Sequence, residues 1–234
     1  LIILVVILIL RQYKVRSLQR TIRLEQKLLR SQLNPHFIFN ALTAVQRFIF
    51  EKSTLLASDY LGKFSRLIRF ILNSSAFDSI SLKEELDFLE NYLALQAVRF
   101  DNKFRYEIHV EENIQVDDCY IPPLLIQPIV ENAVEHGISH LEKDGLIRVE
   151  LSQEQKHLKV VVTDNGVGRM KAGQISTRKR KNHKSLSTSI TKERLLYLNK
   201  GTDKDIFIET IDLTDKQGNP AGTKVVLQIP FSCD

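Results

Sequence analysis

From Leu33 to Phe48 apolar residues return at helical spacing: Leu33, Phe37, Ala41, Val45 and Phe48 make one stripe, and His36, Asn40, Thr43 and Arg47 make a polar stripe beside it. The pattern predicts a helix over 33–50 with His36 facing solvent. A second amphipathic run, with Leu56, Tyr60, Phe64, Leu67 and Ile71 on one face, predicts a helix over 55–72. Two such helices suit an antiparallel hairpin. A lone hairpin cannot hide both stripes, so a second copy completing a four-helix bundle is expected, burying Phe37, Phe48, Phe64 and Leu67 across the interface.

Ser81-Leu82-Lys83-Glu84 has capping-box form and predicts a third helix running to Phe100. Strict alternation follows over 104–110, where Phe104, Tyr106, Ile108 and Val110 interleave with Arg105, Glu107 and His109. The stretch 121–137 reads as a helix that carries Glu131, Asn132 and His136 among apolar neighbours. Strands are expected at 146–152, 157–163, 206–211 and 223–229, with a helix at 189–198. Strands and helices mix without regular alternation, so the fold class is α+β: a helical hairpin followed by a sandwich of one mixed sheet covered by helices on one face.

Residues 1–10 are an unbroken apolar run that turns basic at Arg11. A membrane span needs about 20 apolar residues, so the run is expected to be the end of a truncated transmembrane helix, with Arg11, Lys14, Arg16, Arg20 and Arg23 as its cytoplasmic flank. It lacks the charged start and small-residue cleavage site of a signal peptide. Val15, Leu18, Ile22 and Leu29 then form a short coiled-coil-like stripe interrupted by Glu25 and Gln32. The expected organisation is a membrane helix end at 1–10, a linker helix at 11–32, a helical hairpin at 33–80 and a second domain at 81–234.

A hydrophobic content of 43% over 234 residues excludes general disorder and allows a sizeable core. The net charge of +5 is local, held at the N-terminal flank and in Arg178, Lys179, Arg180, Lys181 and Lys184. Neither cluster is interleaved with aromatics, so no nucleic-acid partner is expected. Cys119 and Cys233 are too few for a disulfide framework and lack metal-ligand spacing, which fits a reducing cytoplasm.

Three motifs stand in order along the chain: Gln32-Leu33-Asn34-Pro35-His36-Phe37-Ile38-Phe39-Asn40, then Ile121-Pro122-Pro123 through Glu131-Asn132 to His136-Gly137, then Val160-Val161-Val162-Thr163-Asp164-Asn165-Gly166-Val167-Gly168. Together they resemble a sensor histidine kinase of the LytS type, a histidine-bearing dimerisation segment followed by an ATP-binding domain of the gyrase, chaperone, histidine kinase and MutL superfamily. Three motifs in the right order are far more specific than any one alone.

The resemblance implies a homodimer at the bacterial inner membrane, with these residues on the cytoplasmic side. It implies ATP-dependent phosphorylation of His36 and transfer of the phosphoryl group to an aspartate of a response regulator. Asn40, one turn on, would orient His36. An acidic residue follows the histidine in the common class of these kinases. Here, as in the LytS type, Phe37 takes that place, so the proton acceptor is not readable from the motif.

By the same resemblance Asn132 completes the coordination of Mg²⁺, a hard cation that takes oxygen ligands and keeps several waters. Glu131 would support that site or act as a base, and His136 would reach phosphate oxygens. The Asn-x-x-x-Asn of many kinases is Pro128-x-x-x-Asn132 here. Asp164 would accept a hydrogen bond from the adenine amino group, rejecting guanine, whose carbonyl would repel it. Gly166 and Gly168 let the backbone approach the base closely, and Gly222-Thr223 matches a later element of the fold.

In the family the loop over 168–189 closes on the ATP phosphates, with Lys171, Arg178 or Lys184 to neutralise them. A Gly-x-Gly often precedes the next helix, where this chain has Ser185-Leu186-Ser187. Ser187 would cap that helix and leave its amides facing phosphate. Arg194 matches the family's helix in a structural role. Two further readings stay open: a degenerate membrane-tethered scaffold that binds ATP or a partner without phosphorylating anything, motivated by Ser187 and Pro128, and an ATPase of the same fold that hydrolyses rather than transfers.

Overall fold

The computed structural model describes residues 35–74, 77–155, 157–169, 206–230 and 232–233. The expected membrane end, linker helix, phosphate loop and helix over 189–198, with Lys184 and Ser187, lie outside them. No described helix is long and apolar enough to cross a membrane. The chain divides into two compact units between Asn40 and Ala41. Of the first unit only the opening turns of one helix are described, so the packing below is that of the second.

Helix α1 spans Pro35–Phe50 and α2 spans Thr54–Ser74. Pro35 opens α1, where a missing N–H costs nothing. The helix stops without a glycine: Lys52 takes a left-handed φ of 57°, and the amides of Ser53 and Lys52 bond back to the carbonyls of Phe48 and Ile49 at 2.8 and 3.0 Å, a Schellman closure. Ala41, Ala44 and Phe48 of α1 are buried with Ala57, Tyr60, Leu67 and Ile71 of α2, and the Phe48 and Tyr60 rings meet at 5.7 Å. This corrects the expectation that Phe48 and Leu67 await a second copy, because they are already 4% and 2% exposed within one chain. Leu56, expected on the buried face, is exposed, as are Leu42, Ile49, Leu61 and Leu72.

Helix α3, Leu82–Arg99, begins with the expected capping box. The Ser81 hydroxyl accepts from the Glu84 amide at 3.2 Å and the Glu84 carboxylate accepts from the Ser81 amide at 3.0 Å. The buried residues of α3 include Leu82, Glu85, Phe88, Leu89, Tyr92, Leu93, Leu95 and Gln96, more than one stripe. A helix buried on most sides has neighbours on more than one face. On one face Phe88 stacks on Phe70 of α2 at 4.9 Å, and Arg47 of α1 donates to the Val98 carbonyl at 3.3 Å and pairs with Asp101 at 2.8 Å. Arg47 therefore latches α1 to the end of α3 instead of lining a free polar stripe.

Beyond α3 the main sheet runs in the order β2-β4-β5-β7-β6, with β2 Phe104–Val110, β4 Gly145–Glu154, β5 His157–Asp164, β6 Phe207–Thr214 and β7 Pro220–Pro230. Only β2 and β4 pair in parallel, so the sheet is mixed, as expected. Ile147, Val149 and Leu151 of β4, Leu158, Val160 and Val162 of β5, and Leu227 and Ile229 of β7 are buried at alternate positions. Burying each large apolar side chain contributes about 1.5–3 kcal/mol. The intervening positions of β2 and β4 are polar, and Glu107 and Arg148 pair across the strands at 2.9 Å.

The stretch expected as one helix over 121–137 is four successive structures, the last of them the turn at Ala133–Gly137. Cys119–Ile121 is strand β3, Pro122-Pro123 leads into an irregular segment with Leu124 at φ 53°, and helix α4 begins only at Gln127. Two adjacent prolines hold the backbone out of the helical region. Strand β3 also joins a small antiparallel sheet, β1-β3-β8, with β1 Ile80–Ser81 and β8 Ser232–Cys233. In its register Cys119 lies opposite Cys233, and Cys119 is disulfide-bonded, a departure from the expectation of two reduced thiols.

The capping box supplies the first test. Ser81→Ala should lower stability by about 1 kcal/mol in urea unfolding, with m unchanged, since it removes one acceptor at a helix N-terminus and little surface.

Candidate functional site

Asp164 is the last residue of β5, delivered to the sheet's end by the buried run Val160, Val161 and Val162, and is itself 4% exposed. Its Oδ1 accepts from the Gly166 amide at 2.8 Å, and the Thr223 backbone amide, opposite it on β7, is a further donor. Burial pushes its pKa from 3.8 up to about 6, against the pull of those two backbone donors.

Three glycines let three backbones meet there. A Cβ on Gly222, at φ 129°, would overlap the Asp164 carbonyl. One on Gly137 would come within 2.6 Å of Asp164 Oδ1, and one on Gly166 would collide with the Gly137 backbone. The Val167 amide also donates to the Gly137 carbonyl at 3.3 Å. Gly168 holds a left-handed φ of 74° against Pro220. Directly after it, Arg169 grips Asp212 of β6 through Nε and Nη2, each at 2.7 Å.

Gly137 ends the element that carries Asn132. Helix α4, Gln127–Asn132, passes at Ala133–Gly137 into a π-turn, a widened turn that often marks a functional site. The π-turn packs on β5 and β7, so the Asn132 run and the Asp164 turn form one corner. Glu131 and Asn132 are half-buried and His136 is exposed. Asn165 is engaged with the neighbouring strand. Its side chain accepts from the Leu146 amide at 2.7 Å and donates to the Asp144 carbonyl at 2.9 Å, tying the turn to the start of β4.

Thus Asp164, Gly166, Gly168, Gly222 and Thr223 come together, with Glu131, Asn132 and His136 on the adjoining element. His36 and Asn40 lie on the first turns of α1, in the other unit. Sequence reasoning missed Gly137, whose position at a helix end reads as a terminator. It also missed the pair Arg99–Glu135, closed at 2.6 Å, and the buried Glu85.

Among the described residues no group of three or more His, Cys, Asp or Glu is placed to hold a metal. Asn132 offers a single neutral oxygen, which suits a hard ion that draws its other ligands from water and phosphate. The residues present therefore fit Mg²⁺ entering with a nucleotide.

Asp164 ties the site to stability. Between pH 3.8 and about 6 the folded chain keeps a proton that the unfolded chain has lost, so this group's contribution falls as pH rises through that window. Asp164→Asn should therefore be more stable than wild type at about pH 8, by up to about 3 kcal/mol, and should lose that advantage at about pH 4. Urea unfolding at the two pH values checks it.

Residues 24–104 match the histidine kinase family, and residues 122–232 match the histidine kinase-, DNA gyrase B- and HSP90-like ATPases. The sensor protein LytS of Staphylococcus epidermidis is 34% identical over 211 residues, which are 88% of this chain and 34% of that protein. The sensor protein kinase HptS of Staphylococcus aureus is 31% identical over 157 residues, 67% of this chain and 29% of that protein. The chain thus spans about a third of the length of these curated relatives. The histidine kinase domain of the Erythrobacter litoralis EL346 blue-light activated histidine kinase superposes with a TM-score of 0.44 at 16% identity, covering 82% of this chain and 90% of that one. With the histidine kinase segment ahead of the ATPase domain, and both carrying the motifs read from the sequence, the chain belongs to the histidine kinases of the LytS type.

Proposed function

We propose that this chain is the catalytic part of a membrane-anchored sensor kinase that phosphorylates His36 from ATP and passes the phosphoryl group to an aspartate of a response regulator. The observation that carries the reading is the glycine-built corner: a buried carboxylate at Asp164 locked through Gly137 and Gly166 to the element bearing Asn132. An ionised Asp164 accepts from the adenine amino group and has nothing to offer a guanine carbonyl. Asn132 holds Mg²⁺, with Glu131 beside it and His136 toward the phosphates. The ion's chemistry is to screen phosphate charge. Gly168, Gly222 and Thr223 shape the base pocket, and Lys184 and Ser187 act at the phosphates from the segment outside the described residues.

At His36 a neutral ring nitrogen attacks the γ-phosphorus in line. The bond to the β-bridging oxygen breaks, ADP leaves with that electron pair, and the imidazole proton passes to a base. Asn40 holds the ring's orientation. The phosphoryl group then moves to the regulator's aspartate and frees the histidine.

The test is incubation with γ-labelled ATP, which should give an acid-labile, base-stable label. His36→Gln should abolish it while leaving ATP affinity within about twofold, because acceptor and nucleotide corner lie on different units. Undiminished label on the variant would move the acceptor elsewhere. Asn132→Ala should lose the Mg²⁺-dependent share of ATP binding. Asp164→Asn should lose about 10- to 100-fold in preference for adenine over guanine, the scale of one hydrogen bond to an ionised group.

The working unit is a homodimer through a four-helix bundle. With Phe48 and Leu67 already buried, the apolar residues still exposed for a second hairpin include Leu42 and Ile49 of α1 with Leu56 and Leu61 of α2, all 46–60% exposed. Leu42→Glu with Ile49→Glu should convert the dimer to monomer in light scattering. The change in monomer stability should stay within about 0.5 kcal/mol for each substitution.

A further inference from the structure

Helix α4 has no cap of its own: the residue before it, Ile126, makes no side-chain capping bond, and α4 carries no acidic residue in its first turn. The segment leading into it is held from another helix. Glu85 of α3 is 0% exposed, and its two carboxylate oxygens accept from the backbone amides of Leu124 at 2.8 Å and Ile126 at 3.1 Å. These amides belong to the irregular segment that launches α4. At the far end of the same run Arg99, also on α3, donates to Glu135 at 2.6 Å and to Gln96 Oε1 at 2.9 Å. Asn132 lies between the two anchor points.

We infer that Glu85 and Arg99 are positioning residues for Asn132, a two-point clamp from α3 that sets the place and rotation of the Mg²⁺-binding helix. A surface carboxylate would do this poorly. A buried one loses its water and stays only while both amides remain in place, so the segment has little freedom to slide or turn. Arg99 fixes the other end, and its guanidinium stacks on Phe100 at 4.5 Å, limiting its own motion. The hairpin docks on this same α3, through Phe70 on Phe88 and Arg47 on Val98 and Asp101. The clamp thus connects the hairpin's seat to the two ends of the run that carries Asn132.

The inference rests on the assignment of Asn132 to Mg²⁺, and its test separates the two. ATP affinity of the full chain is measured by calorimetry with EDTA and with Mg²⁺, for wild type, Glu85→Gln, Arg99→Ala and Asn132→Ala. Metal-free affinity reports the Asp164 corner, and the gain on adding Mg²⁺ reports Asn132. Glu85→Gln keeps one acceptor but presents an NH₂ to the other amide. It should leave metal-free affinity within about twofold and cut the Mg²⁺ gain about tenfold, the scale of one charge-assisted hydrogen bond. Arg99→Ala, at a half-buried site, should show the same split and decides the matter if Glu85→Gln does not fold. A normal Mg²⁺ gain in Arg99→Ala and in folded Glu85→Gln, with the gain lost in Asn132→Ala, overturns the clamp alone. Equal loss with and without metal also overturns it, since that marks a general loss of structure. A normal gain in Asn132→Ala overturns the metal assignment and the clamp with it.

Discussion

A carboxylate buried with only backbone donors around it is the constraint on which this domain turns. Among the described residues Asp164 draws its support from two main-chain amides, and burial works against its charge. The amides must be in place before the charge is tolerable, so the chain brings three segments to van der Waals contact and uses glycine wherever a side chain would hold them apart. The result is a carboxylate already stripped of water, at a standing cost to the folded state. Active sites commonly hold such local cost against the stability of the surrounding fold.

The rest of the domain bears that cost through α3. Its faces serve both sides: Leu82, Leu89 and Leu93 are fully buried, α3 packs on β2 and β3, and Phe88 receives the hairpin. Placing Glu85 within this apolar setting is expensive unless its oxygens are satisfied, and the two amides beyond Pro123 satisfy them. One helix thereby joins the hairpin to the domain that carries Asp164.

What could be read from the chain was what neighbours in sequence decide. The capping box at Ser81 is visible because both partners are three residues apart, and β2 because strict alternation at 104–110 admits one reading. Asp164, Gly166 and Gly222 were legible through family motifs. What escaped depends on distant partners. Glu85 and Arg47 look like ordinary charged positions on helices until the carbonyl or amide they meet is known. Phe48 and Leu67 were rightly called apolar, but whether they meet their own hairpin or a second copy is not written in periodicity. Strands β1, β3 and β8, two or three residues long, carry too little pattern to announce themselves.

The order of strands in the sheet bears on how the chain is made. Strand β5, with its valines at 160, 161 and 162, lies between β4 and β7, and β7 leaves a ribosome well after β5. Until it arrives, one long edge of β5 stands open with unpaired amides and apolar side chains, the kind of edge that recruits strands from other molecules. Nascent chains of this protein thus pass through a stage in which the strand destined to carry Asp164 is also an open, adhesive edge.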